Sequence, residues 1–139
     1  MYSKAEDHLI NLDRCGSRAM RKAYLVILLA AAEAGYRAMG HATGDIHELQ
    51  IRDETGRQPF TLIVNNASLL FCLRRPALEV QPELAGQASA QFGDRVQGEN
   101  GGTSEVRIRI TSEDEADRIA EWLFTATAVT PGYAERISA

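Results

Sequence analysis

The 139-residue sequence predicts an α+β fold: an antiparallel sheet of about five strands, with a long N-terminal helix and a C-terminal helix packed on one face, in the order α-β-β-β-α-β-β-α. Three stretches carry that expectation. Between Glu105 and Ile110, Val106, Ile108 and Ile110 alternate with Glu105, Arg107 and Arg109, the pattern of a strand with one buried and one wet face. Directly after it, Ser112 stands three residues before Glu115, a capping box that opens a helix. Earlier, Tyr24 to Leu29 is apolar around most of a helix circumference, so that helix should be covered on more than one side.

Taken in order, the elements begin after a polar leader, residues 1–16, expected to be loose. Ser17 caps a helix starting at Arg18, and Gly40 is placed to end it, with His41 to Asp45 as an exit loop; Gly35 weakens its last turns. The basic pair Arg21 and Lys22 before this apolar run imitates a signal peptide. Three facts oppose export: the run falls short of the ~20 residues that span a bilayer, a polar leader precedes it, and Glu33 follows it. Ile46 to Arg52 then reads as a strand, Asp53 to Arg57 as a turn, and Phe60 to Val64 as the returning strand of a hairpin. Asn65 and Asn66 tolerate left-handed backbone angles and turn the chain into Leu69 to Arg74, until Pro76 ends the pairing.

A short helix follows from Pro82 to Gln91. Gly98 to Gly102 is either the tip of a second hairpin or a loop between Asp94–Gln97 and Ser104–Ile110. In the last helix Glu113, Asp114 and Glu115 suit the positive end of the dipole, while Ala116, Ile119, Ala120 and Leu123 make the inward stripe, flanked by Trp122 and Phe124. Residues 125–139 carry Pro131 and Gly132 without a sustained pattern and are expected to be a loose tail.

The length suits one domain over residues 1–139, which hides roughly two-thirds of its unfolded surface. An apolar fraction of 45% and a charged fraction of 24% exclude a disordered or fibrous chain. A net charge of −4 gives no overall attraction to nucleic acid or to an anionic membrane, and no membrane association is expected. Of the 15 cations only Lys4 and Lys22 are lysine, which leaves 13 arginines, suited to carboxylate and phosphate partners; a preference for arginine codons accounts for them equally well. Cys15 and Cys72 form neither a disulfide framework nor a zinc pattern, which points to a reducing, cytoplasmic setting.

The search for chemistry nominates no catalytic residue, no cofactor-binding residue and no metal ligand. His8, His41 and His47 lie outside any HExxH or metal-spaced pair, and Gly98 to Gly102 lacks the lysine and the strand-to-helix context of a phosphate loop. Asp45, Glu48 and Asp53 lie near one strand, yet the lysine that a nuclease centre wants is absent there. What remains are surfaces. Arg107 and Arg109 point the same way, and Arg74 and Arg75 end another strand, so pairing of those two strands builds an arginine patch for phosphates or an acidic partner. Self-pairing with Glu48 or Glu105 is the plainer account of the same residues. The acidic start of the last helix, with Glu113, Asp114 and Asp117, is a second candidate partner surface and otherwise a solvated face.

In size, acidity and element order the chain resembles the small chaperones of type III secretion effectors. The likeness covers most of the chain, rests on no diagnostic motif, and implies a non-enzymatic dimer. The leading expectation is a non-catalytic binding protein that masks or tethers another protein, of inhibitor, immunity or chaperone type, with a homodimer left open. The alternatives are a nucleic-acid-associated accessory protein of a phage, plasmid or restriction context, and a small enzyme in which His47 meets Glu48 or Asp45 in a closed pocket.

Overall fold

A computed structural model describes residues 5–97 and 105–125, and within them six strands and five helices form an antiparallel α+β arrangement. Helices α1 (Ala5–Arg14) and α2 (Arg18–Glu33) precede strands β1 (Arg37–Thr43), β2 (Ile46–Arg52), β3 (Phe60–Val64) and β4 (Leu69–Leu73). Helices α3 (Arg75–Val80) and α4 (Glu83–Phe92) lead through a 3₁₀ turn, Gly93–Arg95, into β5 (Val96–Gln97). Strand β6 (Val106–Ile110) and helix α5 (Glu113–Ala120) follow, and a π turn, Glu121–Thr125, extends α5. The sheet order is β1-β2-β3-β4-β6-β5, so β6 inserts between β4 and β5.

Two expectations about the first third of the chain are corrected. Helix α2 opens as expected, with the Ser17 hydroxyl accepting the N–H of Met20 at 3.2 Å, but it ends at Glu33, well short of Gly40. Gly35 stops it: at φ 98° this residue takes the left-handed region, its N–H donates to the Ala32 carbonyl, and the N–H of Tyr36 donates to the Ala31 carbonyl. That pair of bonds is a Schellman closure, which needs glycine at this place. The residues expected as the helix end and exit loop are therefore β1, one strand more than anticipated.

The leader is corrected too, since residues 5–14 are helical and α1 lies on β1. The inward positions of β1 are Ala38, Gly40 and Ala42, all small, and a Cβ at Gly40 would stand 2.9 Å from the His8 ring and 3.1 Å from the His8 backbone nitrogen. Glycine is what lets α1 approach so closely. At its far end the Gly16 N–H donates to the Asn66 carbonyl at 2.7 Å, tying the α1–α2 turn to the β3–β4 turn.

The first two strands of the meander, β2 and β3, follow the expected boundaries, and the third, β4, ends at Leu73, one residue short of Arg74. Asp53 organises the first turn by accepting the N–H and hydroxyl of Thr55 and the N–H of Arg57, and these bonds hold its carboxyl below the usual range. The β3–β4 turn closes by a bond from the Asn65 N–H to the Ser68 carbonyl, and neither Asn65 nor Asn66 needs a positive φ. Pro76 ends β4 as expected, and it does so by opening α3. The arms of the second hairpin pair as β5 and β6, while the Gly98 to Gly102 tip and the tail after Thr125 lie outside the described residues.

Inward residues line up across the sheet: Leu49, Leu62, Phe71 and Ile108 in one row, Ile51, Phe60, Leu73 and Val106 in the next. They join Met20, Tyr24 and Ile27 of α2, Leu84 and Phe92 of α4, Ile119 of α5 and Leu123 of the π turn in one hydrophobic cluster. Each large side chain buried there contributes about 1.5–3 kcal/mol. At its centre Tyr36, Phe60, Phe71 and Phe124 meet with ring centroids 5.5 to 6.3 Å apart, mostly edge to face. Phe124, which flanks the inward stripe of the last helix, is fully buried. Because the helices bury their apolar stripes in this cluster, they occupy one face of the sheet, and among the described residues no helix covers the other.

Candidate partner-binding surface

Strand alternation assigns the uncovered face. Across β2, β3, β4 and β6 the register sets Glu48, Ile63, Leu70 and Arg109 in one row and Gln50, Thr61, Cys72 and Arg107 in the next, so both rows end on an arginine. The adjacency on which the expected arginine patch depends is present, since β4 and β6 pair directly with Cys72 opposite Arg107 and Leu70 opposite Arg109.

Polar side chains lie flat over most of this face. Glu105 is shared between two arginines, with one oxygen 3.2 Å from Arg74 and the other 3.5 Å from Arg107. Both contacts are partly exposed, and such pairs are worth about 0–1 kcal/mol. Glu48, the other acid expected to pair with an arginine, instead accepts the Gln50 amide at 2.8 Å, and Gln50 in turn accepts Arg52 at 3.1 Å. Gln58 donates to the Thr61 hydroxyl. Thr61 and Cys72 are buried on this side of the sheet, and burial pushes the Cys72 thiol up to about 12, with Glu105 adding to the rise and Arg107 and Arg74 opposing it.

The expected surface residues separate into groups. Arg74, Arg107 and Arg109 share the open face, and Arg109 is exposed and makes no hydrogen bond or ion pair among the described residues. Arg75 is corrected: the strand ends at Leu73, so Arg75 is an exposed residue of the first turn of α3 and not part of the sheet. On α5, Asp114 and Asp117 are exposed, while Glu113 pairs with Lys22 at 3.2 Å. Since α5 buries Ala116 and Ile119 in the inner core, these acids lie on the opposite side of the sheet from Arg107 and Arg109. The two charged surfaces are distinct, not one continuous patch.

The arrangement asked of an enzyme is not assembled among the described residues. His47 faces inward with Leu49 and Ile51, the Glu48 side chain faces outward, and Asp45 is exposed in the β1–β2 turn. No group of three His, Cys, Asp or Glu side chains gathers there as a metal would require, and no helix there is long and apolar enough to cross a membrane.

A buried polar cluster escaped the reading of the sequence. Asn11 is fully buried and donates to the Glu48 carbonyl at 2.9 Å and to the Tyr24 phenol at 3.1 Å, and His8 Nδ1 lies 2.8 Å from the same phenol. Nothing in the apolar pattern of residues 5–14 announces it, because the central inward residue of α1 is an asparagine.

No family model, curated protein or solved structure matches the chain. The class that fold and surface define is thus an open-faced antiparallel sheet backed by helices.

Proposed function

We propose that this chain is a non-catalytic binding protein that masks or tethers a macromolecular partner, another protein, through the open face of its sheet. The observation that supports the reading is Arg109, an exposed guanidinium that has no internal partner among the described residues, set beside Ile63 and Leu70 on a face that no described helix covers. An acidic partner gains charge-assisted, bidentate hydrogen bonds there without first breaking an internal ion pair. Inhibitors, immunity proteins and effector chaperones all fall in the class of proteins that mask or tether a partner, and the last of these also suggests a dimer. The cytoplasm is the setting we assign, in keeping with two buried, unpaired cysteines.

The test is capture from the cells that make the protein, comparing the wild type with Arg109→Glu and Arg107→Glu. A protein partner retained by the wild type and weakened roughly tenfold or more by Arg109→Glu is the expected result. Capture of no partner sensitive to either arginine overturns the reading. The same guanidinium also favours a second reading, contact with nucleic-acid phosphates, for which binding falls steeply with salt. Phe60 and Phe71, the aromatic residues of the strands, both face inward and offer no platform for base stacking.

A further inference from the structure

Helix α1 is tied to the rest of the fold by hydrogen bonds whose direction can be read donor by donor. The Glu48 backbone oxygen can only accept, so the group 2.9 Å from it on Asn11 is the amide nitrogen. That nitrogen also donates to the Tyr24 phenol oxygen at 3.1 Å. The phenol has one proton of its own to place, and its remaining hydrogen-bond partner is His8 Nδ1 at 2.8 Å. His8 Nδ1 must therefore be the acceptor, which makes the imidazole neutral with its proton on Nε2.

Protonation of His8 puts a hydrogen on Nδ1. The phenol oxygen then faces two donors, and its own proton has no acceptor in place on a side chain that is fully buried: Asn11 Oδ1, buried and unpaired, reaches it only if the amide turns and gives up its bond to the Glu48 carbonyl. The ring has no room to turn away toward β1, because the Gly40 backbone lies directly beneath it. We infer that α1 is a pH-gated element: protonation of His8 releases residues 5–14 from β1, β2 and α2 and uncovers the small-residue strip Ala38, Gly40 and Ala42.

The surroundings agree with this polarity. Burial holds His8 below its ordinary value of 6.5, and Asp7, on the same helix, opposes that shift without overcoming it. From α2 the facing group is Tyr24, whose ionisation burial pushes up to about 12, so the phenol stays protonated throughout the range in which His8 titrates. Cys15, in the α1–α2 turn, has its thiol raised by burial and stays neutral. From β2 the Glu48 backbone carbonyl faces Asn11 while the carboxylate bonds Gln50 on the outer face. His47, inward on β2, is the second imidazole on this side of the sheet, and its buried Nδ1 has no partner among the described residues. A folded-state value below 6.5 means that docking is fully stable above 6.5 and weakens as pH falls through that value.

Hydrogen exchange of the full chain, corrected for intrinsic rates, tests the gate between about pH 7.5 and about pH 5. The expected result is a loss of α1 protection of roughly tenfold or more relative to β3 and β4, the scale set by one buried donor left unsatisfied. In His8→Gln the amide oxygen accepts the Tyr24 proton and does not titrate, so α1 stays protected across the range. A flat wild-type profile overturns the inference, as does an unchanged pH response in His8→Gln or its disappearance in His47→Gln. Should His8→Gln fail to dock, the His8 ring titration of the wild type decides by NMR: a midpoint below 6.5 supports the gate, and one at or above 6.5 overturns it.

Discussion

Arg95, in the turn leading to β5, lays its guanidinium against the buried carboxylate of Glu115 in the first turn of α5. Glu115 also accepts the N–H of Thr111 at 2.8 Å and of Ser112 at 3.2 Å, while the Ser112 hydroxyl oxygen accepts the Glu115 N–H in return. A local capping device thus also ties two parts of the chain. Ser112→Ala is expected to cost about 1 kcal/mol, the usual loss of a helix cap. Glu115→Ala should cost about 2 kcal/mol or more, because it also leaves Arg95 and two N–H groups without their acceptor. Urea unfolding with unchanged slope measures both; equal costs for the two variants would show that Arg95 adds nothing.

Gly35 closes α2 at φ 98°, and a Cβ there meets nothing within 4 Å. Gly35→Ala is therefore a pure backbone test, expected to cost about 1–2 kcal/mol. Gly35→Asn should cost less, since asparagine tolerates the left-handed region. A thermal midpoint unmoved by alanine would mean that the closure rearranges freely.

Phe124 is fully buried among Tyr36, Phe60 and Phe71 although it follows the last regular turn of α5. Phe124→Ala is expected to lower stability by about 3–5 kcal/mol. Leu29, 56% exposed on α2, serves as the contrast: Leu29→Ser should stay within about 0.5 kcal/mol. Similar costs at the two sites would contradict the placement of the core.

Burial raises both thiols, Cys72 from an ordinary 9.0 to about 12. Neither should react with a disulfide reagent near pH 8 in the folded protein, and both should appear on unfolding. The unfolded chain ionises Cys72 first as pH rises, so its contribution to stability is present below 9.0 and is lost between 9.0 and about 12. Rapid labelling of the native protein, counted by mass, would rule out this account of the outer face.

What could be read from the chain followed chemical contrast. Val106, Ile108 and Ile110 against Arg107 and Arg109 specified β6, and the Ser112 to Glu115 spacing specified the start of α5, because each signal is complete within a few residues. Strand β1 was hidden for a physical reason: α1 demands Ala38, Gly40 and Ala42 beneath it, and such residues lack the branched, bulky signature of a strand. Helix α1 was hidden because it docks through Asn11 and His8 rather than through an apolar stripe. Of the surface, Arg107 and Arg109 were legible by alternation. The departure of Arg75 into α3, and the sharing of Glu105 between Arg74 and Arg107, depend on where the backbone turns.

The placement of β6 also has a consequence in time. While the protein is being synthesised, Leu69, Phe71 and Leu73 of β4 exist long before Val106 to Ile110, their partners, leave the ribosome. Two helices and a short strand must emerge first. Throughout that interval the nascent chain presents an unpaired, apolar sheet edge, the feature by which half-made β proteins join one another. Closing so long a loop is slow compared with forming the β2–β3–β4 meander. The arrival of β6 is therefore the event that ends the vulnerable period, and a chain interrupted before Val106 lacks the strand that pairs with β4.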